Sequence, residues 1–233
     1  MSQRKSKPVE TGHLLRDLPL AECLEAAQLE AVAQRCRERV LSRGEILFHR
    51  GDPTQGFYGV LEGQIKLAFS APDGNEKVVE LVGARQCFGQ IAMLTGATHL
   101  LIAEAMCDSR VVLIPREVTF ELLDSHPCFA RQMLQDMAQR SRDLLQDVET
   151  YTQQTSAQRV VSYLHQHCQD AATPTEKFQI TLPASKQIIA SRLSLTPETL
   201  SRIFHELSAA ELIDVHGKQI TIHNISRLRA YAS

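Results

Sequence analysis

The sequence predicts an α+β fold in three parts: an antiparallel β-roll over residues 1–127, a long helix over 128–152 and a winged helix-turn-helix over 153–233. Three observations predict it. Short β-rich runs punctuated by glycine fill Leu41–Pro115. One apolar stripe then runs from Cys128 to Tyr151 without a glycine or proline. Two amphipathic segments and a hairpin pattern follow between Ala184 and Ile222.

From the N-terminus, Leu18–Val40 reads as helical, because apolar Leu24, Leu29, Val32 and Cys36 sit among Glu, Gln, Arg and Ala with no internal glycine. The β-rich runs are Ile46–Phe48, Phe57–Leu61, Gln64–Phe69, Lys77–Val82, Leu100–Cys107 and Arg110–Ile114. Turn pairs Asp52-Pro53, Glu62-Gly63 and Asp73-Gly74 separate several of them. Short strands at this spacing predict a compact antiparallel barrel or roll, with glycine taking the corners that need positive φ.

Across Glu117–Tyr151, residues Ala130, Met133, Leu134, Met137, Ser141, Leu144, Leu145, Val148 and Tyr151 recur at three- and four-residue steps. Charged and amide side chains fill the other side, which predicts a helix of about six turns. An apolar stripe this long needs a covering surface. Its own domain is one such surface; a second copy of the same helix, hence a homodimer, is the preferred reading. Thr152–Ser156 is a polar hinge, a helix follows over Ala157–Cys168, and Gln169–Lys177 is a loop.

Leu182–Leu207 carries the most chemistry. A first helix spans Ala184–Leu193, and Ser194-Leu195 form a short turn. Thr196 is a good N-cap, with Pro197 at the first helical position. In the second helix Leu200, Ile203, Phe204 and Leu207 make one stripe, while Glu198, Ser201, Arg202 and His205 make another at the same spacing. An acid, a hydroxyl and a guanidinium on one open face are groups that read base edges: arginine donates twice to guanine, glutamate accepts from cytosine N4. The alternative is a solvated face with a Glu198–Arg202 pair one turn apart. Leu212–Ile222 alternates apolar residues about Gly217, as a hairpin wing does, with His216 and Lys218 at its tip.

Bulk properties fit a globular chain rather than excluding much. The 233 residues are 43 % hydrophobic and carry a net charge of −2, so nucleic-acid binding is not announced by overall charge. Residues 155–233 hold eight Lys/Arg against six Asp/Glu, leaving −4 on the remainder. Six cysteines, Cys23, Cys36, Cys87, Cys107, Cys128 and Cys168, are scattered without a C-x-x-C pair. That predicts a reducing cytoplasmic setting with mostly buried, inert thiols and no disulfide staple. The basic start Ser2–Pro8 lacks a following apolar segment, and no apolar run is long enough for a membrane span. No P-loop, G-x-S-x-G, H-E-x-x-H or Rossmann fingerprint occurs, so an enzyme is not expected.

Two sets of motifs resemble the Crp/Fnr regulators along nearly the whole chain. They are Arg43-Gly44-Glu45, Gly51-Asp52, Leu61-Glu62-Gly63 and Phe88-Gly89-Gln90, then the long helix, then Leu195-Thr196-Pro197-Glu198-Thr199-Leu200-Ser201-Arg202. The resemblance implies a cyclic-nucleotide-binding-like roll and a homodimeric transcription regulator, an activator working with RNA polymerase on double-stranded DNA. Glu198-x-x-Ser201-Arg202 is similar to the Fnr-type recognition motif, which implies base reading by Glu198, Ser201 and Arg202 at TTGA(T/C)-like palindromes. By the same carry-over, DNA-backbone contacts are implied for Lys186, Gln187, Thr196, Thr199 and His216.

The chain departs from two branches of that family. The cyclic-nucleotide branch uses a glutamate and an Arg-Ser pair; Gln90, His99 and Leu100 stand in the matching positions. Without the carboxylate and the guanidinium, cAMP binding is not expected. Only Cys23 and Cys36 stand near the N-terminus, so an iron–sulfur cluster, which takes four thiolates, is not expected either. The chain is similar to the Dnr-type branch, which implies nitric oxide sensing through haem; His13, His99, Cys87 and Met93 are candidates for its axial position by residue type, and none is assigned as the ligand. Thiol-redox sensing, a small organic effector and a free-standing cyclic-nucleotide module are the alternatives.

Overall fold

The computed structural model describes residues 15–70, 76–167 and 177–231. His13, Ser2–Pro8, the Asp73-Gly74 turn, Cys168 and most of the Gln169–Lys177 loop lie outside them. The chain divides into two compact units, one up to Arg140 and one from Ser141 onward.

The first unit opens with a 3₁₀ helix, Pro19–Cys23, and α1, Ala26–Arg35. Glu25 starts α1 through a capping box, its N–H donating to Gln28 Oε1 at 2.9 Å. The expected single helix over Leu18–Val40 is therefore two short pieces, and its last residues belong to β1, Arg37–Leu41. The alternating charges Arg37, Glu38 and Arg39 look helical, but β1 is an edge strand with Arg37 and Val40 exposed and Leu41 buried.

The roll continues with β2 (Ile46–Phe48), β3 (Gly56–Glu62), β4 (Gln64–Ser70) and β5 (Glu76–Gly83). Then come β6 (Cys87–Phe88), α2 (Gln90–Thr95), β7 (Ile102–Ala105) and β8 (Ser109–Pro115). They form two antiparallel four-stranded sheets in the orders β1-β8-β3-β6 and β2-β7-β4-β5. All six expected β runs are strands, although Leu100–Cys107 shrinks to Ile102–Ala105. β3 is buried on both faces. Phe57 packs with Leu18, Leu29, Val32, Phe129 and Met133. Its neighbour Tyr58 packs with Phe48, Val60, Ile65 and Phe88 inside the roll.

Two helices follow: α3 (Arg116–Ser125) and α4 (Pro127–Gln153). His126 at φ −127°, ψ 90° breaks them apart, as a residue before proline is driven from the helical region. At 27 residues α4 exceeds the expected length and runs across the boundary between the units. Phe129 and Met133 anchor its first turns in the roll's core, whereas Leu134, Leu144, Leu145 and Val148 stay exposed.

The cysteine expectation needs correction. Cys23 and Cys128 are joined by a disulfide, with Cα atoms 5.4 Å apart across 105 residues of sequence. Cys36 and Cys87 are buried free thiols, and Cys107 is exposed. Sequence spacing gave no sign of the pair, because the fold alone brings the 3₁₀ helix to the start of α4.

The second unit contains the end of α4, α5 (Ser156–Gln166), β9 (Phe178–Thr181), α6 (Lys186–Arg192), α7 (Pro197–Ala209), β10 (Ile213–His216), β11 (Gln219–Ile222) and α8 (Ile225–Tyr231). The hairpin β10–β11 turns through Gly217 at φ +63°. It gains a third strand, β9, which follows the expected Gln169–Lys177 loop and which the sequence pattern does not announce. Among the described residues no helix is long and apolar enough to cross a membrane.

Candidate nucleic-acid interface

The pair α6–α7 is built by local signals. Ser185 caps α6 and Thr196 caps α7, its Oγ1 accepting from the Thr199 N–H at 3.2 Å. Between the helices the chain turns at Ser194, φ +55°, a left-handed conformation that costs an L-residue free energy. The Leu195 N–H closes the turn on Ala190 O at 2.9 Å. Arg159 of α5 secures it from outside, its Nη1 donating to Leu193 O (2.9 Å) and Ser194 O (3.2 Å).

Leu200, Ile203, Phe204 and Leu207 of α7 are all buried. Glu198, Ser201, Arg202 and His205 are all exposed. The two stripes expected from spacing are thus the inner and outer faces of one helix. The anticipated Glu198–Arg202 pair does not form: Arg202 Nη1 donates instead to Glu206 Oε1 at 3.1 Å. Both partners are largely in water, so the pair is worth well under about 1 kcal/mol and yields readily to a base edge. Glu198 sits in the first turn of α7, where hydrogen bonds from its own backbone N–H and from the Thr196 hydroxyl hold its carboxyl below the usual range. It is therefore an ionised acceptor at neutral pH.

Residues expected near phosphates are more varied. Gln187 is exposed, and His216 and Lys218 stand at the tip of the wing. Thr196 and Thr199 flank the start of α7 with their hydroxyls 3.1 Å apart. Lys186 is half-buried, its ammonium 5.6 Å from the Phe204 ring centroid, so a cation–π contact competes with outward reach.

A cluster that sequence reading missed joins the end of α4 to α6. Arg192 forms a bidentate pair with Asp147 (2.8 and 3.0 Å) and donates to the Tyr151 hydroxyl at 2.6 Å. That hydroxyl donates to Arg192 O at 2.6 Å. Burial is the largest influence and works against the guanidinium charge, but the Asp147 hydrogen bond together with the charge and hydrogen-bond interactions of Tyr151 and Asp147 outweighs it and raises the Arg192 pKa. Asp147 and Tyr151 lie one turn apart on α4, which is the available signal, but their partner is 45 and 41 residues further on, respectively.

In the roll, α2 runs between Gly89 and Gly96. Gln90 is buried, and Leu100 is exposed. His99 is 4 % exposed and stacks on Phe48, ring centroids 3.6 Å apart and planes within 9°. Burial lowers its pKa, so the imidazole is neutral at pH 7. Tyr58 and Phe88 complete the aromatic cluster at 5.4 Å. Met93 is fully buried, and burial pushes the Cys87 thiol up to about 12. Among the described residues no group of three or more His, Cys, Asp or Glu is placed to hold a metal ion.

Comparison with known proteins agrees with this geometry. The model for the cyclic nucleotide-binding domain matches residues 38–126, and that for the Crp-like helix-turn-helix domain matches residues 158–231. The chain is 30 % identical to the global nitrogen regulator of Synechococcus elongatus, over 78 % of this chain and 83 % of that protein. It is 30 % identical to the transcriptional activator protein Anr of Pseudomonas protegens, over 92 % and 88 %. A solved structure of a CooA mutant from Carboxydothermus hydrogenoformans superposes with a TM-score of 0.78 over 100 % of both chains at 16 % identity, a likeness of fold.

Proposed function

Because the chain belongs to the Crp/Fnr family of DNA-binding transcription regulators, we propose that it binds TTGA(T/C)-like palindromes as a homodimer and acts on RNA polymerase as an activator, without being an enzyme. The observation that carries the reading is the open face of α7, where Glu198, Ser201 and Arg202 project opposite a fully buried stripe. Arg202 supplies two donors for guanine O6 and N7, and Glu198 an acceptor for cytosine N4. Thr196, Thr199, Gln187, Lys186 and His216 hold the phosphates that set the register. The setting is the cytoplasm, where the DNA is.

Dimerisation is read from α4. Leu134, Leu144, Leu145 and Val148 are 46–71 % exposed along one side of the helix. Covering each such side chain is worth about 1.5–3 kcal/mol, enough in sum to hold two helices together.

The effector of this reading is not cAMP. A cyclic phosphate needs a cation in a low-dielectric pocket, and the position that would offer one holds the neutral His99 stacked on Phe48. The Dnr-type resemblance would bring haem and nitric oxide. Among the described candidates the fit to that group is poor: His99 lies flat against Phe48, Met93 is sealed in the core, and the Cys87 thiol is protonated. An iron–sulfur cluster is set aside too, because it takes four thiolates and only Cys23 and Cys36 stand near the N-terminus, the second buried in the core. A small organic effector or a thiol oxidant remains.

The test is a labelled operator duplex titrated at several salt concentrations. Specific binding with a steep salt slope is expected. Arg202→Ala is expected to cost about 1–3 kcal/mol and to relax selection at one guanine. An unchanged base preference in that variant would remove Arg202 from the reading role.

A further inference from the structure

We infer that Cys23 and Cys128 are a reversible thiol–disulfide site that clamps the root of α4 and thereby tunes operator affinity. The inference rests on the DNA-reading function above. Five observations meet at this pair. The Cα separation of 5.4 Å is within bridging range, so the fold itself presents the two sulfurs to each other. Cys128 is exposed and Cys23 half-buried, so solvent oxidants and reductants reach them. Cys128 is the second residue of a 27-residue helix, where unpaired N–H groups and the helix dipole favour the thiolate. Cys23 packs on the same core cluster as Phe129 and Met133, so the bond fastens two elements already in contact. Finally, α4 continues past Arg140 into the unit that holds α6 and α7.

A protein that works on DNA sits where thiols are kept reduced, so a bond between these two forms on exposure to an oxidant rather than serving as a permanent staple. With hydrogen peroxide the chemistry balances in two steps. The Cys128 thiolate attacks one peroxide oxygen and, with a proton taken up, gives a sulfenic acid and water. The Cys23 thiol then displaces the hydroxyl, forming the S–S bond and a second water. Two electrons leave the sulfurs and reduce one peroxide. A thiol reductant reverses the bond.

The clamp acts through order. Without the bond, the packing of Phe129 and Met133 holds the first turns of α4. In the oxidised protein they are tied covalently to the N-terminal segment, so less freedom is lost when α4 pairs with its partner and the heads engage DNA.

The experiment uses the full chain, purified reduced and then treated with hydrogen peroxide. Thiols are blocked with N-ethylmaleimide and peptides mapped by mass spectrometry. A Cys23–Cys128 link is expected, retained in Cys107→Ser and lost in Cys23→Ser and Cys128→Ser. The oxidised form is expected to melt several degrees higher and to bind the operator at least about threefold more tightly. The serine variants are expected not to respond to peroxide, and reduced wild-type protein blocked by maleimide serves where a variant folds poorly. Failure to form the link, unchanged melting, or an affinity change below about threefold would overturn the switch; weaker binding by the oxidised form would overturn its sense. Loss of operator binding in both forms would instead fail the DNA reading, while the link and the melting shift would still decide the clamp.

Discussion

Replacing Arg192 with alanine removes the bidentate Asp147 pair and the donor to Tyr151 in one step. Exposed ion pairs contribute about 0–1 kcal/mol, and breaking a fully buried one costs about 3–5 kcal/mol. Here both side chains are about a quarter exposed, so water partly re-solvates the stranded carboxylate. The expected loss lies between those limits, at about 2–3 kcal/mol. For a unit of this size that corresponds to a fall in melting temperature on the order of 10 °C. The chain has no tryptophan, so urea unfolding is followed by circular dichroism rather than indole emission. Arg192→Lys keeps the charge but not the fork and is expected to recover less than half the loss. The double variant with Asp147→Ala should be less destabilised than the sum of the single variants, by about 1–2 kcal/mol. A single variant within about 0.5 kcal/mol of wild type, or strict additivity, would refute the argument that this cluster secures α6 to the end of α4.

Three further outcomes are expected. Ser194→Gly should stabilise the head by about 0.5–1 kcal/mol, since glycine takes the left-handed turn without a Cβ penalty, and Ser194→Val should destabilise it; equal unfolding midpoints would count against strain at the turn. Burial pushes the Cys36 and Cys87 thiols up to about 12, so between about pH 8.5 and 12 the unfolded chain releases protons that the folded chain keeps. Their stabilisation is complete below about pH 8.5 and declines as pH rises, by about 2 kcal/mol per thiol at pH 10; Cys36→Ala should show a shallower alkaline loss in urea titrations, and an identical slope would refute the assignment. Leu145→Glu places a charge on the exposed apolar side of α4 and should give monomers by sedimentation while leaving the monomer folded; a dimer of undiminished affinity would move the interface elsewhere.

What was legible in the sequence was local in origin. The outer and inner faces of α7 followed from a three-to-four-residue period, and Thr196-Pro197 marked its start. The six β runs were visible because β-branched and aromatic residues alternate between turn pairs. What stayed hidden depends on partners distant in sequence. β1 has a charged, helix-like composition and becomes a strand by pairing with β8. β6 has two residues and α2 six, too few to show a period. β9 borders a polar loop and is defined by β11. The Cys23–Cys128 bond and the Asp147–Arg192 pair join residues 105 and 45 positions apart, which no window along the chain connects.

The two-sided burial of β3 has a consequence for how the roll tolerates change in length. Odd-numbered residues such as Phe57 serve the cluster that holds the root of α4, and even-numbered ones such as Tyr58 and Val60 serve the roll's interior. Inserting or deleting one residue upstream in the strand would swap the two sets, sending each side chain to the wrong core. Gly56 and Gly59 sharpen the penalty, because a Cβ at the first would collide with the Ile114 carbonyl and at the second with the Leu18 side chain. Any residue slipped into either place would force the sheet from β8 or displace the N-terminal segment. Length variation among proteins of this architecture should therefore spare Gly56–Glu62.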